Sequence, residues 1–224
     1  MYQKYIKRTF DIIGSTILLI VTLPVTLFIV LIYIIFDRKG PIIFTQERTA
    51  KGGGDFKMYK FRTMAPTNDV LDATKDNEIT RLGALLRRLS LDEIPQLLNV
   101  LKGDMSFIGP RPWIPEYYKF MTKRQRKRTS VRPGITGMAQ ANGRNSLTIH
   151  DKLRFDLKYV DNISFMLDTK IVLLTLKTFL QRSSAELHKL GIHDEIEVLK
   201  VQPLELDPVE VFIEEQKNKQ SARA

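Results

Sequence analysis

Two adjacent carboxylates, Asp92 and Glu93, stand in a chain whose Lys and Arg number 35 against 25 Asp and Glu, a formal net charge of +10. Neighbouring side chains on a helix point about 100° apart, so both can line one pocket without collapsing onto each other. Arginines are placed to meet them: Arg87 and Arg88 just upstream, Arg111 between Pro110 and Pro112, Arg132 before Pro133, and Arg144 after Gly143. Prolines and glycines stiffen such loops, and a fixed guanidinium suits two-pronged recognition of phosphate oxygens. A hard cation such as Mg²⁺ would bridge carboxylate to diphosphate, because it takes few protein oxygens and keeps several waters. Spacing alone leaves ordinary salt bridges equally open. The chain has no cysteine, which excludes disulfides and thiolate chemistry, and its His150, His188 and His193 have no ligand spacing that would suit zinc.

Positioning these residues falls to short elements. Leu82, Leu85, Leu86 and Leu89 share one face of an amphipathic helix over 82–89, with Arg81, Arg87 and Arg88 elsewhere. Ser90 followed by Glu93 has the spacing of a capping box, which would start the next helix at the carboxylates. Pro41–Thr45 and Phe56–Phe61 alternate as strands, and Lys51–Gly54 reads as the turn between them. That turn lacks Walker spacing, so a hairpin is favoured over a phosphate cradle. The apolar stretch Ile171–Leu180 is interrupted by Lys177 and too short to span a bilayer, which makes it a core or interfacial helix.

Composition divides the chain into 1–40, a membrane element; 41–184, which holds the motifs; and 185–224, an acidic extension with Asp194, Glu195, Glu197 and Glu205, broken by Pro203 and Pro208. From Ile12 to Phe36 no side chain is charged. A helix of that length, at about 1.5 Å per residue, reaches across a hydrocarbon core of roughly 30 Å. Pro24 at its midpoint predicts two half-helices, and basic residues at both ends (Lys4, Lys7 and Arg8; Arg38 and Lys39) favour a hairpin that enters and leaves by one face. A straight spanning helix with a tolerated proline is the alternative. Tyr117–Arg128 is strongly basic and predicts attachment to anionic phospholipid of the inner leaflet, against a merely solvated face. No nucleic-acid motif accompanies it, so no nucleic-acid partner is expected.

Several ordered blocks give the sequence a specific resemblance: Gly40–Phe44 with Gln46-Glu47-Arg48, then Tyr59-Lys60-Phe61-Arg62-Thr63-Met64, then Leu91–Ser106 around Asp92-Glu93. Gly109-Pro110-Arg111-Pro112, Arg132–Gly137 and Gly143-Arg144 follow in order. Over about residues 1–180 the chain resembles the bacterial sugar transferases, monotopic phosphoglycosyl transferases that act on polyprenyl phosphate. The resemblance implies an α/β, mostly helical fold: a re-entrant membrane helix-break-helix kinked at Pro24, and one compact cytoplasmic catalytic domain with a short β-hairpin and interfacial amphipathic helices. It implies a two-step reaction at the cytoplasmic face of the bacterial inner membrane. Asp92 attacks the β-phosphate of a UDP-sugar, UMP leaves, and polyprenyl phosphate takes the phosphosugar from the enzyme.

Glu93 would assist acid–base steps or, with Asp92, hold Mg²⁺; Lys60, Arg62, Arg88, Arg111, Arg132 and Arg144 would hold substrate phosphates. Leu23 stands where the family often has serine before the dip proline, and Ala139 where a tryptophan is common. The extension after 184 has no counterpart in the shared pattern, and a homo-oligomer is left open. The competing reading is a non-catalytic membrane scaffold that binds anionic lipid through its basic face.

Overall fold

The computed structural model describes residues 1–38, 40–65, 79–143, 147–180 and 192–201. A π-helical turn, Tyr2–Ile6, leads into α1, Lys7–Phe36, a single helix with Pro24 inside it. The backbone stays helical through Pro24, so the two expected halves are joined in one continuous element. Proline deletes one rung of the ladder, the one to the Ile20 carbonyl, and the helix continues on the rungs to either side. It is also held at both ends by the rest of the molecule. Asp11, Ser15, Ile29 and Tyr33 are buried. Asp11 and Ile29 are 18 residues apart, five turns at about 3.6 residues each, so these positions form one stripe. The other faces expose Ile13, Ile17, Ile20, Leu23 and Phe28.

Strand β1, Ile43–Thr49, pairs antiparallel with β2, Asp55–Phe61, in a register that sets Ile43 opposite Phe61. The hairpin therefore runs four residues beyond the predicted end of its first strand. Its turn falls at Lys51–Gly53, where Gly52 and Gly53 take φ of 85° and 88°, a region that favours glycine. Helix α2, Arg81–Leu89, is capped by Thr80, whose hydroxyl accepts from the Gly83 amide at 2.9 Å. Leu86 is buried against Ile29, Tyr33 and Phe61, whereas Leu85 and Leu89 stay exposed.

The capping box does not form. Ser90 is left-handed (φ 56°) and ends α2, and its side chain caps nothing. Leu91–Glu93 is a 3₁₀ turn before α3, Gln96–Lys102. Buried Asn99 fastens α3 to the hairpin: its Oδ1 accepts from the Tyr59 amide at 3.0 Å and its Nδ2 donates to the Lys57 carbonyl at 2.8 Å.

Strand β3, Ser106–Ile108, pairs parallel with β4, Gly134–Thr136. Between them lie α4, Pro115–Phe120, α5, Lys123–Arg126, and a 3₁₀ turn, Lys127–Ser130. The basic stretch is thus no continuous lipid-facing helix. Tyr117, Met121, Gln125 and Arg128 are buried, and Arg128 pairs with buried Asp156 at 2.7 Å. The periodicity of this stretch serves the core, and charge is exposed at Lys119, Lys123, Arg126 and Lys127.

Helices α6, Met138–Ala141, α7, Ile149–Asp161, α8, Phe165–Leu180, and α9, Ile192–Val201, complete the described chain. Trp113, Tyr117, Leu153, Ile196 and Leu199 belong to one buried apolar cluster, so α9 is packed into the core. Residues 202–224 of the acidic extension, with Pro203 and Pro208, lie outside the described residues.

Candidate active site

A cavity of about 700 Å³ opens between the hairpin, the Leu91–Glu93 turn, the Pro110–Ile114 loop and α6, α7 and α9. That volume lies within the ~300–1,000 Å³ of small-molecule sites. Asp92 and Glu93 reach it together because the 3₁₀ turn between α2 and α3 presents consecutive side chains to one space. Asp92 is 7% exposed. Lys60, from β2, stands between the two carboxylates, 2.8 Å from Glu93 Oε1 and 3.8 Å from Asp92 Oδ2. Arg111 Nη2 reaches the same Glu93 oxygen at 3.4 Å from across the cavity.

The two carboxylates are driven in opposite directions. Burial pushes the Asp92 carboxyl up, partly offset by Lys60, and the Glu93 charge adds to the rise. Burial also works against the Glu93 anion, but Arg111 and Lys60 outweigh it and hold that carboxyl down to about 2. Desolvation lowers Lys60, with Glu93 acting against it. Glu93 is therefore the fixed anion of the site. Among the described residues no side chain makes a short bond to Asp92, which is the poorly solvated, more basic member of the pair.

The predicted phosphate-binding residues are distributed unevenly. Lys60 and Arg111 line the cavity. Arg62 also borders it, but its guanidinium is committed elsewhere: 3.0 Å to Asp37 Oδ1, 3.0 Å to the Pro41 carbonyl, and over the Tyr33 ring. It ties the exit of α1 to β2. Arg132 donates to the Gly103 carbonyl at 2.8 Å and does not border the cavity. Arg88 is exposed and does not line the cavity, whereas its neighbour Arg87 does, donating to Thr63 Oγ1 at 2.8 Å. Arg144 lies outside the described residues.

Sequence reasoning missed Trp113, Tyr117, Gln140, Lys152, Asp156 and Glu195, all of which border the cavity. They come from the loop before α4 and from α4, α6, α7 and α9; Trp113 and Tyr117, like Lys152 and Asp156, lie four residues apart, but the groups are distant in the chain. Ala139, the position where the family often has tryptophan, borders it too.

Among the described residues no three His, Cys, Asp or Glu gather as a metal cluster. Asp92 and Glu93 offer hard oxygens, the donor type that Mg²⁺ takes, with the Lys60 ammonium now standing between them.

Residues 2–182 match the family model described as Bacterial sugar transferase, and the chain belongs to that family. It is similar to the uncharacterized sugar transferase EpsL of Bacillus subtilis (strain 168), 44% identical over 78% of this chain and 87% of the relative. It is 36% identical to a UDP-glucose:undecaprenyl-phosphate glucose-1-phosphate transferase of Caulobacter vibrioides, over 80% of this chain and 71% of that one. A transferase of the same name from Klebsiella pneumoniae is 40% identical over 80% of this chain, which spans only 41% of that relative's length.

Proposed function

We propose that the protein transfers a sugar-1-phosphate from a UDP-sugar to polyprenyl phosphate at the cytoplasmic face of the bacterial inner membrane. The observation that carries this reading is the Asp92–Glu93 pair, placed with Lys60 and Arg111 in a cavity of nucleotide-sugar size. An Asp92 oxygen attacks the β-phosphorus, the bond from that phosphorus to the bridging oxygen breaks, and UMP departs with the oxygen. A phosphate oxygen of the lipid then attacks the aspartyl-bound phosphorus and frees Asp92. Splitting one transfer into two displacements is what a carboxylate nucleophile offers. Arg111, Arg87 and Lys60 stabilise charge on the transferring oxygens.

Glu93, held as an anion, suits the holding of a cation better than the donation of a proton. With Asp92 it would hold Mg²⁺, which would neutralise diphosphate charge.

The membrane arrangement follows from α1. Arg8 donates to the Val100 and Leu101 carbonyls at 2.6 and 2.8 Å, and Asp11 accepts from Ser106 Oγ and the Phe107 amide, each at 3.0 Å. At the other end, the Tyr33 hydroxyl donates to the Arg62 carbonyl and Arg62 pairs with Asp37. One domain grips both ends of the helix. A spanning α1 would drag that charged domain through the hydrocarbon, so the helix is read as entering and leaving by one face, with its exposed apolar sides in lipid.

The test is UMP release from a panel of UDP-sugars with Mg²⁺ and polyprenyl phosphate, repeated in EDTA. Release that needs both the metal and the intact Asp92 supports the reading. No release from any sugar would leave a lipid-binding scaffold.

A further inference from the structure

Helix α9 lies beyond the stretch that matches the family, residues 2–182, yet it closes one wall of the cavity. Ile196 and Leu199 anchor it, 8% and 2% exposed, in the cluster with Trp113 and Tyr117. The preceding residue, Glu195, borders the cavity. Its Oε2 accepts from the Tyr117 hydroxyl at 2.5 Å and its Oε1 from Lys152 Nζ at 2.8 Å. A carboxylate offers about four lone-pair sites, so this one is held in place with acceptor capacity to spare.

The cavity is sorted by charge. Cations crowd the wall of the dyad, where Lys60, Arg87 and Arg111 converge. On the α9 wall Glu195 pairs with Lys152 and Asp156 with Arg128, and Arg48 also borders the cavity. Trp113 belongs to that wall, with the Arg128 guanidinium 4.1 Å from its ring centroid. Gln140 borders the same cavity, is 7% exposed, and neither of its amide atoms has a partner among the described residues. A buried amide left unpaired is unfavourable, so a ligand that meets it gains. A diphosphate is favoured on the side of the dyad, where Lys60, Arg87 and Arg111 outnumber Asp92 and Glu93. A neutral, hydroxyl-rich group finds on the α9 wall an ionised acceptor, an amide and an indole.

We propose that Glu195 is a specificity-determining residue that accepts a hydrogen bond from the hexose of the nucleotide sugar, with the Gln140 amide as a second contact. The segment outside the family's shared stretch thereby helps choose which sugar is carried. Tyr117 and Lys152 are positioning residues for the carboxylate. The inference rests on the transferase reading above.

The experiment measures kcat/KM for the full chain with UDP-glucose, UDP-galactose, UDP-N-acetylglucosamine and UDP-N-acetylgalactosamine, which share the uridine diphosphate and differ only in the hexose. Glu195→Gln keeps the shape and weakens the acceptor. It should change the ratio between the best and next-best sugars roughly tenfold, the worth of one hydrogen bond to a charged group. Tyr117→Phe leaves the carboxylate and the aromatic packing in place and should move the same ratio in the same direction by less. It carries the test should Glu195→Gln loosen α9, which thermal melting would show. Ratios unchanged in both variants overturn the proposal while the transferase reading stands. An equal loss on all four sugars also overturns it, because the contact would then be to the shared nucleotide. If the wild-type chain released no UMP from any sugar, the transferase reading would fall and this inference with it.

Discussion

Asp92 and Glu93 are sequence neighbours in different electrostatic settings, because Lys60 and Arg111 converge on Glu93 alone at short range. Asp92→Asn should abolish UMP release even without lipid acceptor, since no adduct forms. Glu93→Gln should be severely slow yet still yield an enzyme-bound phosphosugar, located at Asp92 by mass analysis after rapid quenching. UMP that appears only when both substrates are present would instead support direct attack by the lipid phosphate. A second contrast separates two arginines of the same motif set. Arg111→Lys keeps the charge but loses the planar fork, so turnover should fall roughly tenfold or more while the melting temperature holds. Arg62→Met removes one partner of a mostly buried ion pair and should lower stability by about 3 kcal/mol, read by denaturant unfolding. Equal behaviour of the two variants would show that their division into cavity and scaffold is wrong.

Among the elements, α2 decides where Arg87 stands. A Cβ at Gly83 would lie 2.0 Å from the Thr63 carbonyl oxygen, so only glycine lets the helix press this close to the end of the hairpin. Gly83→Ala would gain about 1 kcal/mol of helix propensity. Overpacking against backbone costs about 1–3 kcal/mol, and the net effect should be destabilising, with UMP release reduced as Thr63 and Arg87 shift. A variant as stable and as active as the parent would refute this. Helix α7 adds a pH dependence through part-buried His150, whose ring nitrogens are enclosed without partners among the described residues. Burial, with Arg154 adding to it, lowers its pKa below the ordinary 6.5. Below pH 6.5 the unfolded chain therefore binds a proton that the folded chain resists. Stability should fall as pH drops from 6.5 toward the folded pKa and be flat above 6.5. His150→Gln should remove that slope in chemical denaturation.

At the scale of the whole molecule, both ends of α1 should face the same side of the membrane. Single cysteines at Gln3 and Gly40, in a chain that has none, should label from the cytoplasmic face together. Labelling from opposite faces would show a spanning helix. Neutralising exposed Lys119, Lys123 and Lys127 should weaken binding to anionic vesicles most at low salt, since exposed charge is screened as ionic strength rises. Arg128 belongs to a different experiment, because its buried pair with Asp156 makes its loss a folding defect.

Local pattern was enough to read the apolar N-terminal helix, the hairpin and its glycine turn, and the helical span of α2. Each depends on neighbours a few residues apart, and family resemblance added the reaction. Ser90 and Glu93 show where such reading stops. Their spacing matches a capping box, but Lys60 and Arg111, 33 and 18 residues from Glu93, compete for its carboxylate and win with two opposite charges. Pro24 predicted two half-helices, and the chain stays helical through it. The arginines could not be sorted from sequence, because Arg62, Arg87, Arg111 and Arg132 differ only in what folds around them. Glu195 was one acid among many in a polar tail. Only the burial of Ile196 and Leu199, which are apolar at helical spacing, turns that segment into a wall of the cavity and brings its carboxylate to Tyr117 and Lys152, 78 and 43 residues away in the chain.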